Sequence, residues 1–296
     1  MTVSYLASLG AALCWAIGGL IAIGPVRTLG AFSFNRLRMV IVLVMLLAVT
    51  LALGTWRTLE AGHLLGLAAS GIVGILVGDS LLFRGLQVIG PRRNAVVYAT
   101  AAPMAALMSW LVLDELLGPA GLLGLLLCTG GVMVAVFFGR PSGDGHAVER
   151  LEGRLIGGVA FALAAAFCQA AGTILAKPVM AAGVDPIAAS CVRVAVACAG
   201  LLVSGLLPGT SGLFCGVTPR LFGLVAVNGM LGMGIGMTLV LVALSDGNPG
   251  IVSTLSSTTP VLILPLLWAY TGRRPPLGGW IGAAVTVGGI ALIFNR

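Results

Sequence analysis

Residues 98–135 read YATAAPMAALMSWLVLDELLGPAGLLGLLLCTGGVMVA, and residues 255–292 read LSSTTPVLILPLLWAYTGRRPPLGGWIGAAVTVGGIAL. Each stretch joins two apolar runs across a short polar break, with a proline early in the first run and a glycine pair late in the second. At an offset of 157, residues 64–138 align with residues 221–295 without a gap. The chain therefore contains an internal duplication, and this duplication decides the fold.

Matched glycines and prolines carry the duplication back towards the start of each half. At an offset of 153, Gly19, Pro25, Val26 and Gly30 match Gly172, Pro178, Val179 and Gly183. After two extra residues in the second half, Arg38 matches Arg193. The longest polar break, at 139–153, separates the copies, so the sequence predicts a first repeat at 1–138, a cytoplasmic linker at 139–153 and a second repeat at 154–296.

The composition places the chain in a membrane. Of its 296 residues, 59% are hydrophobic and only 8% are charged, with a mean hydropathy of +1.12. A soluble domain has about 25% charged residues, so this chain cannot cover a water-facing surface. The net charge of +7 comes from arginines scattered through short loops, a pattern that orients loops rather than binds nucleic acid.

Ten apolar runs are long enough to cross the hydrocarbon core, which takes about 20 residues of helix. They are 4–23, 33–53, 63–86, 94–113, 119–138, 155–176, 187–207, 220–245, 249–270 and 276–294. Backbone groups cannot remain unpaired in lipid, and the runs are too continuous for barrel strands. We expect an all-α integral membrane protein with ten transmembrane helices, and the lipid bilayer is its first partner.

The number of apolar runs in each copy determines how the two copies are oriented relative to one another. Each copy has five runs, an odd number, so the second copy must enter the membrane from the opposite side to the first. Inverted repeats are common in secondary transporters, whose substrate site lies near the midplane between the halves. Some channels share the arrangement. The repeat therefore predicts passage of a solute and leaves carrier and channel open.

Basic residues favour cytoplasmic loops. Twelve of them fall on the side that holds the odd-numbered loops, against three on the side that holds both termini. This asymmetry predicts that both termini lie outside the cytoplasm.

Several motifs resemble one family of transporters. The first run, AALCWAIGGLIAIG, places Trp15 and Gly18 at a Trp-Gly pattern, and Arg38 lies early in the second run. The stretch from 83 to 135 carries Pro103, Glu115 and Gly131 in order, and the second half repeats the proline and glycine as Pro260 and Gly288. Together they resemble the drug/metabolite transporter superfamily, EamA-like branch.

The resemblance implies a ten-helix transporter of small polar metabolites, often an exporter of amino acids or drugs. We therefore expect a bacterial inner-membrane exporter of an amino acid or related amphipathic solute that works as a monomer by alternating access, without a cofactor. Three features depart from the family pattern. Gly272 replaces the acid of the second half, Arg84 stands where many members have an aromatic residue, and aromatic residues make up only 6% of the chain.

Polar and aromatic side chains inside the runs are candidates for the wall of a substrate cavity, because an unpaired polar group in lipid costs several kcal/mol. They are Trp15, Tyr98, Thr100, Gln169, Asn228, Ser253, Ser256 and Ser257. Bundle packing is the alternative for the amides, and hydroxyl groups can instead bond to their own helix. Both alternatives stay open at this stage.

Two further features predict irregular helices. Pro103 and Pro260 lie inside runs and should bend their helices, because proline frees a carbonyl one turn earlier. Glycine-rich segments at 71–78 and 231–237 predict close packing through small faces.

Charged residues inside the runs are the candidates for a gate or for coupling: Arg38, Asp79 and Arg193. Asp79 and Arg84 should not pair, since five residues turn a helix by about 500°. Arg36 and Arg38 should point in opposite directions, so that only Arg38 faces the bundle. We predict that Arg38 pairs with Asp79 as a cytoplasmic-side gate, with a structural ion pair as an equal alternative. The second half has Gly236 at the position of Asp79, so such a lock is one-sided.

Asp79 is also the candidate for proton coupling, with uncoupled exchange equally open. No sequence motif indicates an enzyme: GxSxG, HExxH and Walker patterns are absent, and neither the cysteines nor the histidines have metal-ligand spacing. A passive channel, and less favourably a membrane enzyme or a subunit that does not transport, remain the alternatives.

Overall fold

The computed structural model describes residues 2–113, 118–138, 151–206, 216–246 and 255–294. Almost all of these residues are helical, and none of them lies in a β-strand. The helices in chain order are α1 (Thr2–Leu29), α2 (Ala31–Leu53), α3 (61–89), α4 (91–113), α5 (Pro119–Phe137), α6 (Leu155–Ala181), α7 (Pro186–Ser204), α8 (219–246), α9 (Thr259–Thr271) and α10 (Leu277–Phe294). Gly90, with φ 78° and ψ 169°, is not helical and separates α3 from α4.

Two of these helices contain a π-helical segment. In α3, Gly71–Val77 separates the α-helix Ala61–Ser70 from the one that begins at Gly78, and in α8, Met230–Met237 separates Pro219–Gly229 from Thr238–Asp246. The segments coincide with the two glycine-rich stretches and lie in corresponding parts of the two repeats. A π-helical turn is rare, and it is often retained at functional sites.

Helix length and apolarity agree with the predicted spans. Six helical stretches are long and apolar enough to cross a membrane, and three shorter apolar helices accompany them. The fold class, an all-α membrane protein of ten helices in two inverted five-helix repeats, is confirmed. Residues 249–254, the predicted start of the ninth span, lie outside the described residues.

Matched glycines end the first helix of each repeat. Gly30 follows α1 with φ 79°, and its repeat partner Gly183 follows α6 with φ 85°. Only glycine adopts such left-handed conformations without strain. Asp185 then caps α7 by accepting hydrogen bonds from the backbone N–H groups of Ile187 (2.8 Å) and Ala188 (3.3 Å). The duplication thus repeats a conformational requirement as well as a hydrophobic pattern.

The two repeats interlock. Helix α1 of the first repeat packs against α8 and α9 of the second, while α6 of the second packs against α3 and α4 of the first. Helices α2 and α7 pack together, as do α5 and α10. Every one of these contacts crosses from one repeat to the other.

The contact between α5 and α10 depends on residues without side chains. A Cβ atom on Gly131 would lie 2.5 Å from the backbone nitrogen of Thr286, and one on Gly289 would lie 2.5 Å from that of Cys128. Such close approach of backbones is how membrane helices associate when the lipid is as apolar as the side chains.

Candidate functional site

A buried ion pair lies where the first repeat meets the second. Arg38 of α2 donates a hydrogen bond from Nη2 to Oδ2 of Asp79 in α3, and both residues are only 4% exposed. The predicted contact between these two residues is therefore present. Whether it acts as a gate remains a prediction.

A hydrogen-bond network surrounds Arg38. Its Nη2 also donates to Oδ1 of Asn35 (3.2 Å), and Asn35 Nδ2 donates to Ser80 Oγ (3.2 Å). The guanidinium carbon of Arg38 lies 4.5 Å from the ring centroid of Phe83, a cation–π contact. Asn35 and Phe83 were not predicted as site residues. Phe83 looked like an ordinary apolar position, although the three-residue spacing of Asn35 and Arg38 on one helix was a usable signal.

Arg193 of α7 brings a second guanidinium to the cluster. It is 3% exposed, and its charge interacts with that of Asp79. Its Nε atom is buried without a hydrogen-bond partner. Within the described residues, Arg193 has neither a hydrogen bond nor a salt bridge through its side chain.

Both arginines pack against the π-helical segment of the opposite repeat. A Cβ atom on Gly71 would lie 3.0 Å from Cα of Arg193, and one on Gly74 would lie 3.4 Å from its Nη2. In the same way, a Cβ atom on Gly229 would lie 3.2 Å from Cγ of Arg38, and one on Gly232 would lie 3.6 Å from its Nη1. The glycines leave room for each arginine to cross between repeats.

Tyr98 completes the cluster. It is partly buried in α4, and its hydroxyl lies within electrostatic range of Asp79, Arg38 and Arg193. Two guanidinium groups and one carboxylate give this cluster one excess positive charge.

The predicted cavity residues Trp15 and Asn228 hold α1 against α8. Trp15 Nε1 donates to the carbonyl of Gly232 (3.0 Å), and Asn228 Nδ2 donates to that of Gly18 (2.8 Å). Oδ1 of Asn228 is buried without a partner. Gln169 is partly buried on α6, next to Cys168, whose Cβ would lie 3.2 Å from a Cβ on Gly78.

The helix is not continuous before the two prolines that were predicted to bend it, although the bends themselves stay a prediction. The helix is interrupted by a turn at 99–100 before Pro103 and by a turn at 257–258 before Pro260. Thr100 and Thr258 each donate a hydrogen bond of 2.7 Å to the carbonyl three residues earlier.

Three hydroxyl candidates remain near the second bend. Ser256 is buried and Ser257 partly buried at this turn, while Ser253 lies outside the described residues.

The prediction that only Arg38 of the pair with Arg36 faces the bundle is wrong. Arg36 is 2% exposed and donates from Nε to the carbonyl of Leu201 (3.1 Å), near the end of α7. Arg92 and Arg93, which lie between the predicted spans 63–86 and 94–113, are also buried and donate to the carbonyls of Ala135 (3.3 Å) and Ile89 (3.4 Å). The last carbonyls of a helix are unpaired and partly negative, so they attract arginine.

Metal-binding groups do not cluster in the described ranges: no three His, Cys, Asp or Glu side chains there could hold an ion together.

Known proteins share this architecture. No curated protein sequence matches the chain. One protein of known crystal structure has the same fold, with a TM-score of 0.70, 21% sequence identity and coverage of 99% of this chain and 96% of the other. The model of the EamA-like transporter family matches residues 2–137 and again residues 156–295. The chain is therefore a transporter of the drug/metabolite type and not an enzyme, and it belongs to the EamA-like transporter family.

Proposed function

We propose that the protein exports a small polar metabolite, an amino acid or related amphipathic solute, across a bacterial inner membrane. The observation that carries the proposal is the buried cluster of Arg38, Asp79 and Arg193, to which both repeats contribute. Charged groups inside a membrane protein are costly, and they are a mark of substrate and ion pathways.

Alternating access fits the contacts between the repeats. The moving units would be 1–138 and 154–296, joined by the linker 139–153, of which 139–150 lie outside the described residues. Arg38 and Arg193 each lie on the π-helical segment of the opposite repeat. A rotation of one unit against the other would therefore move Arg193 relative to Asp79. Arg38 and Asp79 belong to the same unit, so their pair opens only if α2 also moves against α3. On this proposal the Arg38–Asp79 pair is the gate, and the bends before Pro103 and Pro260 absorb the motion.

Trp15, Tyr98, Thr100, Gln169, Asn228, Ser253, Ser256 and Ser257 are the proposed wall of the solute cavity. Asp79 is the proposed site of proton coupling, with uncoupled exchange as the alternative outcome. The protein acts as a monomer, with both termini outside the cytoplasm.

Counterflow in proteoliposomes tests the proposal. Vesicles with purified protein are loaded with one unlabelled L-amino acid at a time, and uptake of the same labelled amino acid is followed with and without a pH gradient. We expect transient, saturable accumulation of at least one amino acid, and a response to the gradient if Asp79 couples protons. Flux that neither saturates nor shows counterflow would indicate a channel, and the absence of any exchange across the panel would refute amino-acid transport.

A further inference from the structure

The charges of the central cluster do not balance. Arg38 and Arg193 are both almost completely buried, and the only acidic side chain acting on them among the described residues is that of Asp79. An unpaired charge costs several kcal/mol in such a place, even after relaxation of its surroundings. Backbone carbonyls accept hydrogen bonds from other buried arginines, such as Arg36. Arg193 has no such acceptor among the described residues, so an anion that reaches it would offset its charge.

The two arginines differ in how their donors are used. Arg38 donates to Asp79 and Asn35 and lies over the ring of Phe83. Arg193 donates to no described residue, and its guanidinium lies against Gly74, a residue with no side chain to cover it. Nε of Arg38 is also unpaired, but Arg193 is the arginine of the two whose side chain donates to none of the described residues.

The repeat shows which group Arg193 lacks. Arg38 pairs with Asp79 in the first repeat, and the residues at the matching positions of the second repeat are Arg193 and Gly236. A Cβ atom on Gly236 would lie 2.8 Å from Trp15 Nε1, so the indole of Trp15 lies close to the place of the missing acid. The second repeat has the arginine but no carboxylate at the position that matches Asp79.

We infer that the guanidinium of Arg193 binds the carboxylate of the transported solute, so that the protein selects solutes that carry a carboxylate. The inference rests on the proposed transport function and names its substrate class. The solute supplies the anion that position 236 does not, and one carboxylate cancels the excess charge of the cluster.

The chemistry of the two groups supports this assignment. A guanidinium presents parallel N–H donors that match the two oxygens of a carboxylate, and such charge-assisted bonds are about twice as strong as neutral ones. An amide of the same solute keeps the shape but loses the charge and one acceptor. The preference for acid over amide is therefore the signature of this site.

The first test uses the wild-type protein in detergent at constant ionic strength. Its melting temperature is measured with a panel of free acids, which are the twenty L-amino acids and the corresponding monocarboxylates without the amino group. The measurement is repeated with the amide of each acid in the panel. We expect at least one free acid to stabilise the protein with an affinity roughly tenfold or more above that of its amide, as the loss of a charged hydrogen bond implies. The inference is overturned if no acid in the panel binds better than its amide.

The second test asks whether Arg193 makes the distinction. Arg193→Gln should bind acid and amide equally, and Arg193→Lys should keep part of the preference because it keeps the charge. Arg84→Gln is the matched control, since Arg84 is exposed and bonds to Gln87. A full preference for the acid in Arg193→Gln would overturn the assignment, and if that variant does not fold, the wild-type panel decides alone.

Transport measurements separate this inference from the proposed function. If acids bind better than their amides but no compound of the panel shows counterflow, the carboxylate site is supported and transport of these compounds is refuted. Counterflow of amides as fast as that of acids would support transport and refute the carboxylate site.

Discussion

Arg38 and Arg193 occupy matched positions in the two repeats, but among the described residues only Arg38 has a hydrogen-bonded acidic partner. Each lies on the glycine-rich π-helical segment of the other repeat, so the two arginines have matching backbone contacts but different charge partners. Asp79 is the residue that breaks the symmetry. In a transporter with this arrangement, the Arg38–Asp79 pair forms within the protein, whereas Arg193 gains an anionic partner only when the solute binds.

The ion pair should dominate the local stability. Asp79→Asn leaves two buried guanidinium groups without a charge partner, and we expect a loss of about 3–5 kcal/mol, as for other broken buried pairs. Arg38→Gln should also destabilise the protein, because it leaves the carboxylate unpaired. The free energies of unfolding in detergent, measured for both variants, check this expectation.

The double variant of Arg38→Gln with Asp79→Asn tests whether the two residues act on each other. Its free energy of unfolding should fall by less than the sum of the two single losses, by about 0.5–3 kcal/mol, as is found for residues in contact. Exchange of the two charges should likewise rescue part of the loss. Strict additivity, or a charge exchange no better than the single variants, would argue against the pairing.

Neighbouring glycines should respond differently to alanine in the helix pair α5–α10. Gly131→Ala places a methyl group 2.5 Å from the backbone of Thr286, whereas a Cβ on Gly130 meets no atom within 4 Å. We expect Gly131→Ala to cost about 1–3 kcal/mol through overpacking and Gly130→Ala to be nearly neutral. Thermal unfolding of the two variants checks the packing, and equal melting temperatures would contradict it.

A change that weakens the hydrogen bond of Trp15 between α1 and α8 should also lower the apparent affinity for the solute. Gly236→Ala would push a methyl group against Trp15 Nε1 and weaken its bond to the carbonyl of Gly232, a bond worth about 1 kcal/mol. That energy corresponds to roughly fivefold in an equilibrium constant, so we expect counterflow to need several times more solute for half its maximal rate. Gly234→Ala is the control, because its nearest atom would be 3.9 Å away; a similar change in both variants would contradict a role for Trp15.

The bends should affect motion more than stability. Pro103 and Pro260 lie in the first turn of the helix that follows each break, where proline costs little. Pro103→Ala and Pro260→Ala should therefore leave the melting temperature nearly unchanged. If the bends serve the transport cycle, the initial rate of counterflow should nevertheless fall. Pro265→Ala, at an exposed proline of α9, is the matched control. An unchanged rate in the first two variants would show that the bends are structural only.

The orientation can be checked with a reporter fused to the C-terminus. The distribution of basic residues predicts that the C-terminus lies outside the cytoplasm. A fused reporter that functions only in the periplasm or the exterior should therefore be active. Burial of Arg36, Arg92 and Arg93 means that several of the counted charges bond to helix-end carbonyls instead of standing free in loops. Activity of a cytoplasmic reporter at the same position would reverse the assignment.

Most of the site residues were visible in the sequence, but their relationships were only partly so. Arg38, Asp79 and Arg193 stand out because each interrupts an apolar run, and the contact of Arg38 with Asp79 follows from similar depth on neighbouring helices. The packing of Arg193 over Gly71 and Gly74 does not follow, since it depends on how α7 crosses α3. For the same reason the burial of Arg36 contradicted an argument from helix periodicity alone.

The sequence by itself determined the membrane class, the helices, the duplication and the inversion, because hydropathy, span length and an odd span count are properties of the chain alone. Tertiary structure decided which buried charges meet. Interhelical contacts depend on crossing angles and rotations that are set by packing of the whole bundle, where glycines let backbones approach within a few ångströms. Only this packing brings two arginines from opposite repeats to a single carboxylate.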